Sequence, residues 1–280
     1  RYRRRVLRGD RVRAVAADIG VSTEGVSAES IRLEARRLEE LSLNASGAFQ
    51  SLLYDGWLLG FRPGPTKRLR CVNAFYSTSL PLAEKVDYCV RFYRSVSLPA
   101  IFRMLPFSQP PELDAYLESL GWNRFERTLI LRTSVQPAAQ VSVARHSVEI
   151  VDVPQWEEAA AGLLNLAGGA LSAAIERAKS YPLPHIGAVI RHQGEVVACG
   201  LAKLEGTHAG LFAVNTAPAH RRQGRGRAIV AALLAEASRQ GSRVAYLQVT
   251  ADNEAALALY RPFGFAPVYD YWYRGPVSER

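Results

Sequence analysis

The stretch VNTAPAHRRQGRGRA, residues 214–228, joins an apolar segment to a loop rich in arginine and glycine. The apolar segment predicts a strand that ends at Pro218. After the loop, apolar residues recur three and four positions apart up to Ala237, which predicts a helix that stops at Gly241. Residues 219–228 hold four arginines and two glycines. The loop is therefore either a basic patch for nucleic acid or a tight turn around one phosphate-bearing ligand.

Two common phosphate-binding loops do not fit this stretch. The pattern GxxxxGK[ST] does not occur in the chain, and GxGxxG fails because Ile229 stands where its third glycine belongs. The pattern that remains is RxxGxG, formed by Arg221, Gly224 and Gly226. Glycine lets the backbone approach a ligand closely, and the first N–H groups of a helix have no partner within it. Such a helix start can hold a pyrophosphate, with arginine side chains on its outer oxygens.

A second pattern follows in LQVTADNEAALALYRPFGF, residues 247–265. It predicts a strand and then a helix with Asp252 or Asn253 as its N-cap. Asn253, Ala256 and Tyr260 are spaced i, i+3 and i+7, so they share one face of that helix. That face carries an amide, a small residue and a phenol in order along the helix.

The two patterns together resemble the GNAT superfamily of acyl-CoA-dependent N-acyltransferases, over residues 208–275. The resemblance implies an acyltransferase that moves an acetyl group from acetyl-CoA to a primary amine, with no metal ion. In the family, the strand and the helix face meet the pantetheine arm and the loop holds the pyrophosphate. Tyr260 would lie near the thioester sulfur and protonate the leaving thiolate as general acid. The positions that the resemblance assigns to acetyl-CoA are Val214, Asn215, Thr216, Arg221, Arg222, Gln223, Gly224, Arg225, Gly226, Arg227, Asn253 and Ala256.

The general base is the weakest part of this interpretation. Many GNAT enzymes use a carboxylate on the central strands, but here Gln248 stands where some members place a glutamate. Glutamine cannot accept a proton at neutral pH. Glu205 and His208, at the far end of the preceding hairpin, are nearby candidates. A water chain that delivers an already neutral amine is an equal alternative.

The first half of the chain predicts a second unit of the same kind. YLESLGWNRFERTLIL (116–131) aligns without a gap with LYRPFGFAPVYDYWYR (259–274). In both, a helix stops at glycine, an aromatic residue follows and an apolar strand closes the unit. The first half has no RxxGxG, and Leu117 stands at the position of Tyr260, so its site would be degenerate. The plan resembles that of mycothiol synthase, a tandem GNAT protein, although a common helix–glycine–strand junction is the alternative explanation.

The predicted fold class is α/β, with two GNAT-like units in tandem, each a mixed, mostly antiparallel sheet flanked by helices. We expect a short N-terminal β segment or remnant of a preceding module at 1–25, a degenerate domain at 26–136 and a catalytic domain at 141–280. Within the first unit, residues 55–62 and 68–76 predict two strands joined by a turn. The helices predicted in that unit begin near Ser30, Leu82 and Pro111.

Composition bounds the class of protein. The chain has 280 residues, of which 48% are hydrophobic and 22% charged, as in a soluble globular protein. Its formal net charge of +9 favours anionic partners. Three cysteines without metal-ligand spacing predict buried, reduced thiols of a cytoplasmic protein. The most apolar segment, residues 159–175, is too short and too polar to span a bilayer.

Three functional hypotheses follow. The first is a cytoplasmic acetyl-CoA-dependent N-acetyltransferase with an unknown amine acceptor, acting as a monomer or homodimer. The second is a non-catalytic CoA-binding or protein-interaction module that keeps the fold. The third is a nucleic-acid-binding protein that uses the arginine loop at 221–227. The sequence does not favour the third, because nucleic-acid binding predicts interleaved aromatic residues or a known RNA-binding pattern, and neither occurs around the loop.

Overall fold

The structure is a computed structural model that describes residues 28–46, 50–62, 66–77, 79–135 and 146–276. The segment predicted at 1–25 and the linker at 136–140 lie outside the described residues. The described helices are α1 (Ala28–Ala45), α2 (Leu82–Ser95), α3 (Leu113–Ser119), α4 (Val153–Leu164), α5 (Gly168–Ser180), α6 (Arg225–Arg239) and α7 (Glu254–Tyr260). The described strands are β1 (Ser51–Tyr54), β2 (Trp57–Gly60), β3 (Val72–Ala74), β4 (Phe102–Met104), β5 (Asn123–Ser134), β6 (Glu149–Val151), β7 (His185–His192), β8 (Glu195–Glu205), β9 (His208–Thr216), β10 (Val244–Thr250) and β11 (Ala266–Gly275).

The eleven described strands form one sheet in the order β1-β2-β3-β4-β11-β5-β10-β9-β8-β7-β6. Strands β3 and β4 pair in parallel, as do β9 and β10, and the other neighbours are antiparallel. The predicted class, a mixed and mostly antiparallel α/β sheet flanked by helices, is confirmed. None of the described helices is both long and apolar enough to cross a bilayer.

The chain repeats one succession of elements. The series β1, β2, β3, α2, β4, α3, β5 corresponds to the series β7, β8, β9, α6, β10, α7, β11. The last strand of each series lies inside the other: β5 is flanked by β11 and β10, and β11 is flanked by β4 and β5. The aligned stretches 116–131 and 259–274 are the closing helix and strand of the two series. Because both halves contribute to one sheet, the domain boundaries stay a prediction.

The first unit differs from its prediction at its start. Residues 51–54 form β1, which the sequence did not predict because Ser51, Leu52 and Leu53 are exposed and show no alternation. The strand predicted at 55–62 begins only at Trp57, since Asp55 and Gly56 form the turn between β1 and β2. Gly56 has φ +82°, which glycine adopts without a steric penalty. Similarly, the strand predicted at 68–76 is reduced to β3.

Two layers of helices cover the sheet. Consecutive residues of a strand point to opposite faces, and on β10 Leu247 packs with α6 and α7 whereas Tyr246 packs with α1. We call these the α6 face and the α1 face. On the α1 face, Trp156 of α4 packs against Val189 of β7. The three cysteines are buried and free, as the sequence predicted.

A buried ion pair fixes α1 to the junction of the two units. The guanidinium of Arg103 on β4 donates to the Glu39 carboxylate of α1 at 2.5 and 2.8 Å. Tyr269 of β11 donates to the same carboxylate. Burial lowers the pKa of Arg103, but the Glu39 carboxylate raises it, and the net result lies well above the ordinary value. Helix α1 is thereby bonded to strands from both units.

Candidate functional site

The sheet opens between β9 and β10. The two parallel strands pair only where residues 208–210 face residues 244–246, and they separate beyond that point. On the other side of β9, the register with β8 shifts between Phe212 and Asn215, and Ala213 has φ +49°. This β-bulge bends β9 away from β10. The backbone of residues 214–216 is therefore unpaired toward β10 and borders the opening.

The arginine–glycine loop folds tightly at the end of β9. Arg222 and Gly224 both have left-handed backbone angles, with φ +61° and +80°. Gly224 is the N-cap of α6 and has no side chain to cap it. The first N–H groups of α6 therefore carry no N-cap side-chain partner and lie at the positive end of the helix dipole. The turn at the start of a helix lies where the sequence predicted it, and its use as an anion site stays a prediction.

The four arginines of the loop take different positions. Arg221 donates from Nε to the Thr216 carbonyl at 3.1 Å and ties the loop back to the strand. Arg225 donates to the Gln223 amide oxygen, and its buried Nε has no hydrogen-bond partner among the described residues. Arg222 and Arg227 are exposed. Within the described residues, none of the four is in an ion pair.

The start of α6, the end of β9 and helix α7 converge at Gly226. A Cβ placed on Gly226 would lie 3.5 Å from Thr216 Oγ1 and 3.6 Å from a methyl group of Leu259 on α7. The three segments predicted to hold acetyl-CoA are thus neighbours in space. The side-chain amide of Asn215 donates to the Leu163 carbonyl of α4 at 3.0 Å and points to the α1 face, so only the backbone of Asn215 borders the opening.

Helix α7 begins as the sequence predicted. The Asn253 side chain accepts a hydrogen bond from the Ala256 N–H at 3.0 Å, so it caps the helix. The side chain of Ala256 is partly buried on the α6 face. Because the Asn253 oxygen serves as the cap, its NH₂ group is the part that can reach a ligand.

Tyr260, at the end of α7, lies on the α6 face of the sheet. It is 8% exposed, and its ring lies edge-on to Phe265 with 5.5 Å between the centroids. Burial raises the pKa of its phenol to about 12. Its hydroxyl has no hydrogen-bond partner in the part of the chain that the structure describes. The phenol is therefore protonated at neutral pH and has a donor to offer.

The candidates for the general base lie away from the opening. Glu205 accepts hydrogen bonds from Arg37 and Asn44 of α1, both at 3.0 Å. His208 stands at the paired end of β9, where burial and the charges of Arg37 and Arg132 lower its pKa. The Glu205 side chain thus holds α1 against the sheet, and the base is assigned to neither residue.

Gln248 does lie on β10 beyond the paired segment. Its amide oxygen accepts hydrogen bonds from Arg68 and from the Tyr271 hydroxyl, the latter at 3.0 Å. Arg68 belongs to the first unit and reaches this edge of the opening from far away in the sequence. Sequence reasoning missed Arg68, because no local pattern distinguishes it from the other surface arginines.

Comparison with known proteins agrees with this geometry. Residues 163–265 match the profile of the family described as "Acetyltransferase (GNAT) family". The matched residues include the opening, the loop and Tyr260, so this part of the chain is similar to GNAT acetyltransferases.

Individual relatives extend the likeness to most of the chain. An uncharacterized N-acetyltransferase of Bacillus subtilis, YobR, is 26% identical over 229 residues, which cover 78% of this chain and 89% of that protein. A GCN5-related N-acetyltransferase from Kribbella flavida superposes with a TM-score of 0.61 at 17% identity, covering 87% of this chain and 95% of its own. A tandem GNAT protein from the clavulanic acid biosynthesis pathway superposes with a TM-score of 0.52 at 18% identity, covering 69% and 68%.

Proposed function

We propose that the protein is an acetyl-CoA-dependent N-acetyltransferase that acts on a primary amine, with Tyr260 as general acid. One observation carries the proposal: the opening between β9 and β10 is bordered by unpaired strand backbone and by the start of α6, and the buried phenol of Tyr260 lies on the same face of the sheet. A thioester that entered this opening would meet groups suited to each of its parts.

The donor fits the site in three segments. The N–H groups at residues 222–227 face the pyrophosphate, and the exposed guanidinium groups of Arg222 and Arg227 lie beside it. The backbone of residues 214–216 pairs with the pantetheine amides in the place that β10 leaves free. On α7, Ala256 leaves room for the arm and the NH₂ group of Asn253 reaches it. The buried Nε of Arg225, which has no partner among the described residues, supports the proposal because it can donate to an acceptor group there.

The transfer step then needs one proton donor for the leaving sulfur. The amine nitrogen attacks the thioester carbonyl carbon, a C–N bond forms, and the C–S bond breaks with its electron pair on sulfur. The Tyr260 phenol gives its proton to that sulfur. The amine nitrogen releases a proton to water, from which the phenol is restored. Because burial keeps Tyr260 protonated, the donor is present throughout the neutral range.

The first unit is proposed to be degenerate. The loop before α2 corresponds to the arginine–glycine loop before α6, but its N–H groups bind a carboxylate of the protein itself. Just before α2, the N–H groups of Ser79 and Leu80 each donate to Asp55 at 3.0 Å. These hydrogen bonds hold the pKa of Asp55 well below its ordinary value. The buried ammonium of Lys85 lies 3.1 Å away as its counterion. With Leu117 in the place of Tyr260, residues 26–136 would support the catalytic unit at 141–280.

Calorimetric titration with acetyl-CoA, followed by turnover of a panel of primary amines, tests the proposal. We expect a 1:1 complex and release of free CoA that depends on the amine. Binding without turnover of any amine would instead indicate a CoA-binding module. No binding of acetyl-CoA, together with salt-sensitive RNA or DNA binding, would sink the proposal and favour a nucleic-acid role for the loop.

A further inference from the structure

A second cavity lies on the α1 face, opposite the helices α6 and α7. Its volume is about 100 Å³, enough for a carboxylate or phosphate group but not for a coenzyme. Helices α4 and α5, strands β7 and β8, and the end of α1 enclose it. The polar residues that line it include Ser46, Glu157, Arg177, Tyr181, His185 and Lys203.

Positive charges from both units converge on this cavity. Lys203 of β8 forms its floor, and its ammonium lies 4.0 Å from the centre of the Tyr181 ring. Burial is the main reason why the pKa of Lys203 falls to about 8, and the charges of Arg177, Arg62 and Arg68 lower it further. These three arginines are thus close enough to act on Lys203, although they come from three separate elements.

The cluster has too few negative charges of its own. Within the described residues, none of its four cations forms an ion pair within 4.0 Å. Arg68 donates only to the neutral side chains of Gln248 and Ser46. Among the described residues, Glu157 is the carboxylate whose charge raises the pKa of Lys203, and burial raises the pKa of Glu157 itself. Four like charges gathered around one carboxylate are costly unless an anion joins them.

The cluster stands next to the opening where the thioester would lie. Lys203 faces Gly210, which is the last residue of β9 that pairs with β10. Arg68 contacts both Ser46, in the wall of the cavity, and Gln248, at the edge of the opening. Neighbouring strands are about 4.8 Å apart, and the buried ring of Tyr246 lies over Gly210 on this face, so a molecule of a few carbon atoms that passes beside that ring spans the distance. An acceptor on the α1 face can hold its anionic end at the cluster and its amine at the opening.

We propose that Arg177 and Lys203, which line the cavity, bind the anionic group, a carboxylate or a phosphate, of the amine acceptor, and that Arg62 and Arg68 supply further positive charge beside them. The inference rests on the proposed function and adds to it the chemical class of the acceptor, an amine that carries a negative charge. The acetyl donor and the acceptor would then approach from opposite faces of the sheet.

Two variants and one matched control test the site. Lys203→Met and Arg177→Gln each remove one charge of the cluster. Lys179→Gln removes a charge from the same last turn of α5, but Lys179 does not line the cavity and is paired with Glu176. All four proteins are first titrated with CoA, and equal affinities are expected because the arginine–glycine loop lies on the other face. The CoA complexes are then titrated with inorganic phosphate and, separately, with succinate.

We expect at least one of the two anions to bind the wild type and Lys179→Gln equally. Binding should fall at least tenfold in Lys203→Met and in Arg177→Gln. The stronger anion identifies the group as phosphate or carboxylate. In the turnover assay, that anion should compete with the amine and not with acetyl-CoA.

Three results would overturn the inference while leaving the proposed function intact. They are intact CoA binding with no anion binding, anion binding that all variants share, and competition of the anion with acetyl-CoA. Failure of the wild type to bind CoA at all is a different result, and it removes the proposed function itself.

Discussion

Tyr260 is the residue on which the proposed chemistry depends most. It is buried in an apolar cluster, as many structural tyrosines are, yet its hydroxyl bonds to no described residue. The hydroxyl oxygen is not among the buried polar atoms that lack a partner, so water reaches it when no ligand is bound. A phenol that keeps its donor free beside an opening is better placed to serve a ligand than to stabilise the fold.

We predict that Tyr260→Phe slows the acetyl-transfer step by about 10²- to 10⁴-fold, the usual contribution of a positioned acid. The ring stays in place, so the melting temperature and the Kd for acetyl-CoA should be nearly unchanged. Single-turnover kinetics at saturating acetyl-CoA measure this step. A rate equal to that of the wild type would remove Tyr260 from the mechanism.

Tyr93→Phe is the matched control for this substitution. The Tyr93 hydroxyl donates to the Gly60 carbonyl at 2.6 Å in the core of the first unit. Removing it should lower the free energy of unfolding by about 1 kcal/mol and leave turnover unchanged. The pH profile adds a second check. Because the pKa of Tyr260 is about 12, the wild-type rate should not fall through loss of this proton below about pH 11.

At the scale of elements, the loop before α6 was the part of the site that the sequence predicted best. The spacing of Arg221, Gly224 and Gly226 placed a turn at a helix start, and the structure has it there. The β-bulge was not predicted, because Ala213 is a residue type that seldom adopts φ +49° and nothing in the sequence distinguishes it. Tertiary pairing imposes that angle, and pairing partners are far away in the sequence.

Substitution of Gly224 tests whether the loop binds the pyrophosphate. Gly241, just past the other end of α6, is a matched control position. Both have left-handed angles, with φ +80° and +89°, and a Cβ on either would meet no atom closer than 3.9 Å. We predict that Gly224→Ala and Gly241→Ala each cost roughly 1–2 kcal/mol of stability through backbone strain. Only Gly224→Ala should also weaken acetyl-CoA binding, by about tenfold or more, since its methyl group intrudes on the pyrophosphate.

Calorimetric titration and thermal unfolding of the two variants separate the effects. Equal affinity for acetyl-CoA in both proteins would show that the coenzyme does not approach Gly224. A loss of affinity in both would mean that strain in α6, and not its N-terminal end, controls binding. Either result would exclude this loop as the pyrophosphate site.

The cation cluster shows why other parts of the site escape sequence reasoning. Lys203 is one of four lysines in the chain, and the arginines around it are three among many. Arg62 and Arg68 precede Arg177 by more than a hundred residues. Only the folded sheet brings these side chains to one cavity, so no local spacing could indicate it.

At the scale of the whole molecule, the order of strands decides what can fold alone. Strand β5 pairs with β10 along seven residues, from Val244 to Thr250, and it also separates β10 from β11. The sequence predicted the repeat correctly through its aligned closing segments. The sequence could not predict that β5 and β11 exchange positions in the sheet. The exchanged and the unexchanged arrangement bury the same apolar faces of these strands.

We predict that residues 141–280 expressed alone will aggregate, because β10 and β11 would expose unpaired edges. Residues 1–138 and 139–280 expressed together should associate, co-purify and bind acetyl-CoA as the intact chain does. Size-exclusion chromatography and calorimetry measure both outcomes. A soluble, monomeric 141–280 fragment with the affinity of the intact protein would contradict the structural importance of the exchange.

The exchanged strands also bear on how the protein assembles in a dilute solution. A single unit of this kind would lack one strand of its sheet, and only a second molecule could supply that strand. The free energy cost of this association rises as the protein is diluted. When both units are on one chain, their association is intramolecular. For a short linker, the effective concentration of one unit near the other is on the order of millimolar. Its refolding should accordingly be first order, with a half-time that does not change when the protein is diluted a hundredfold.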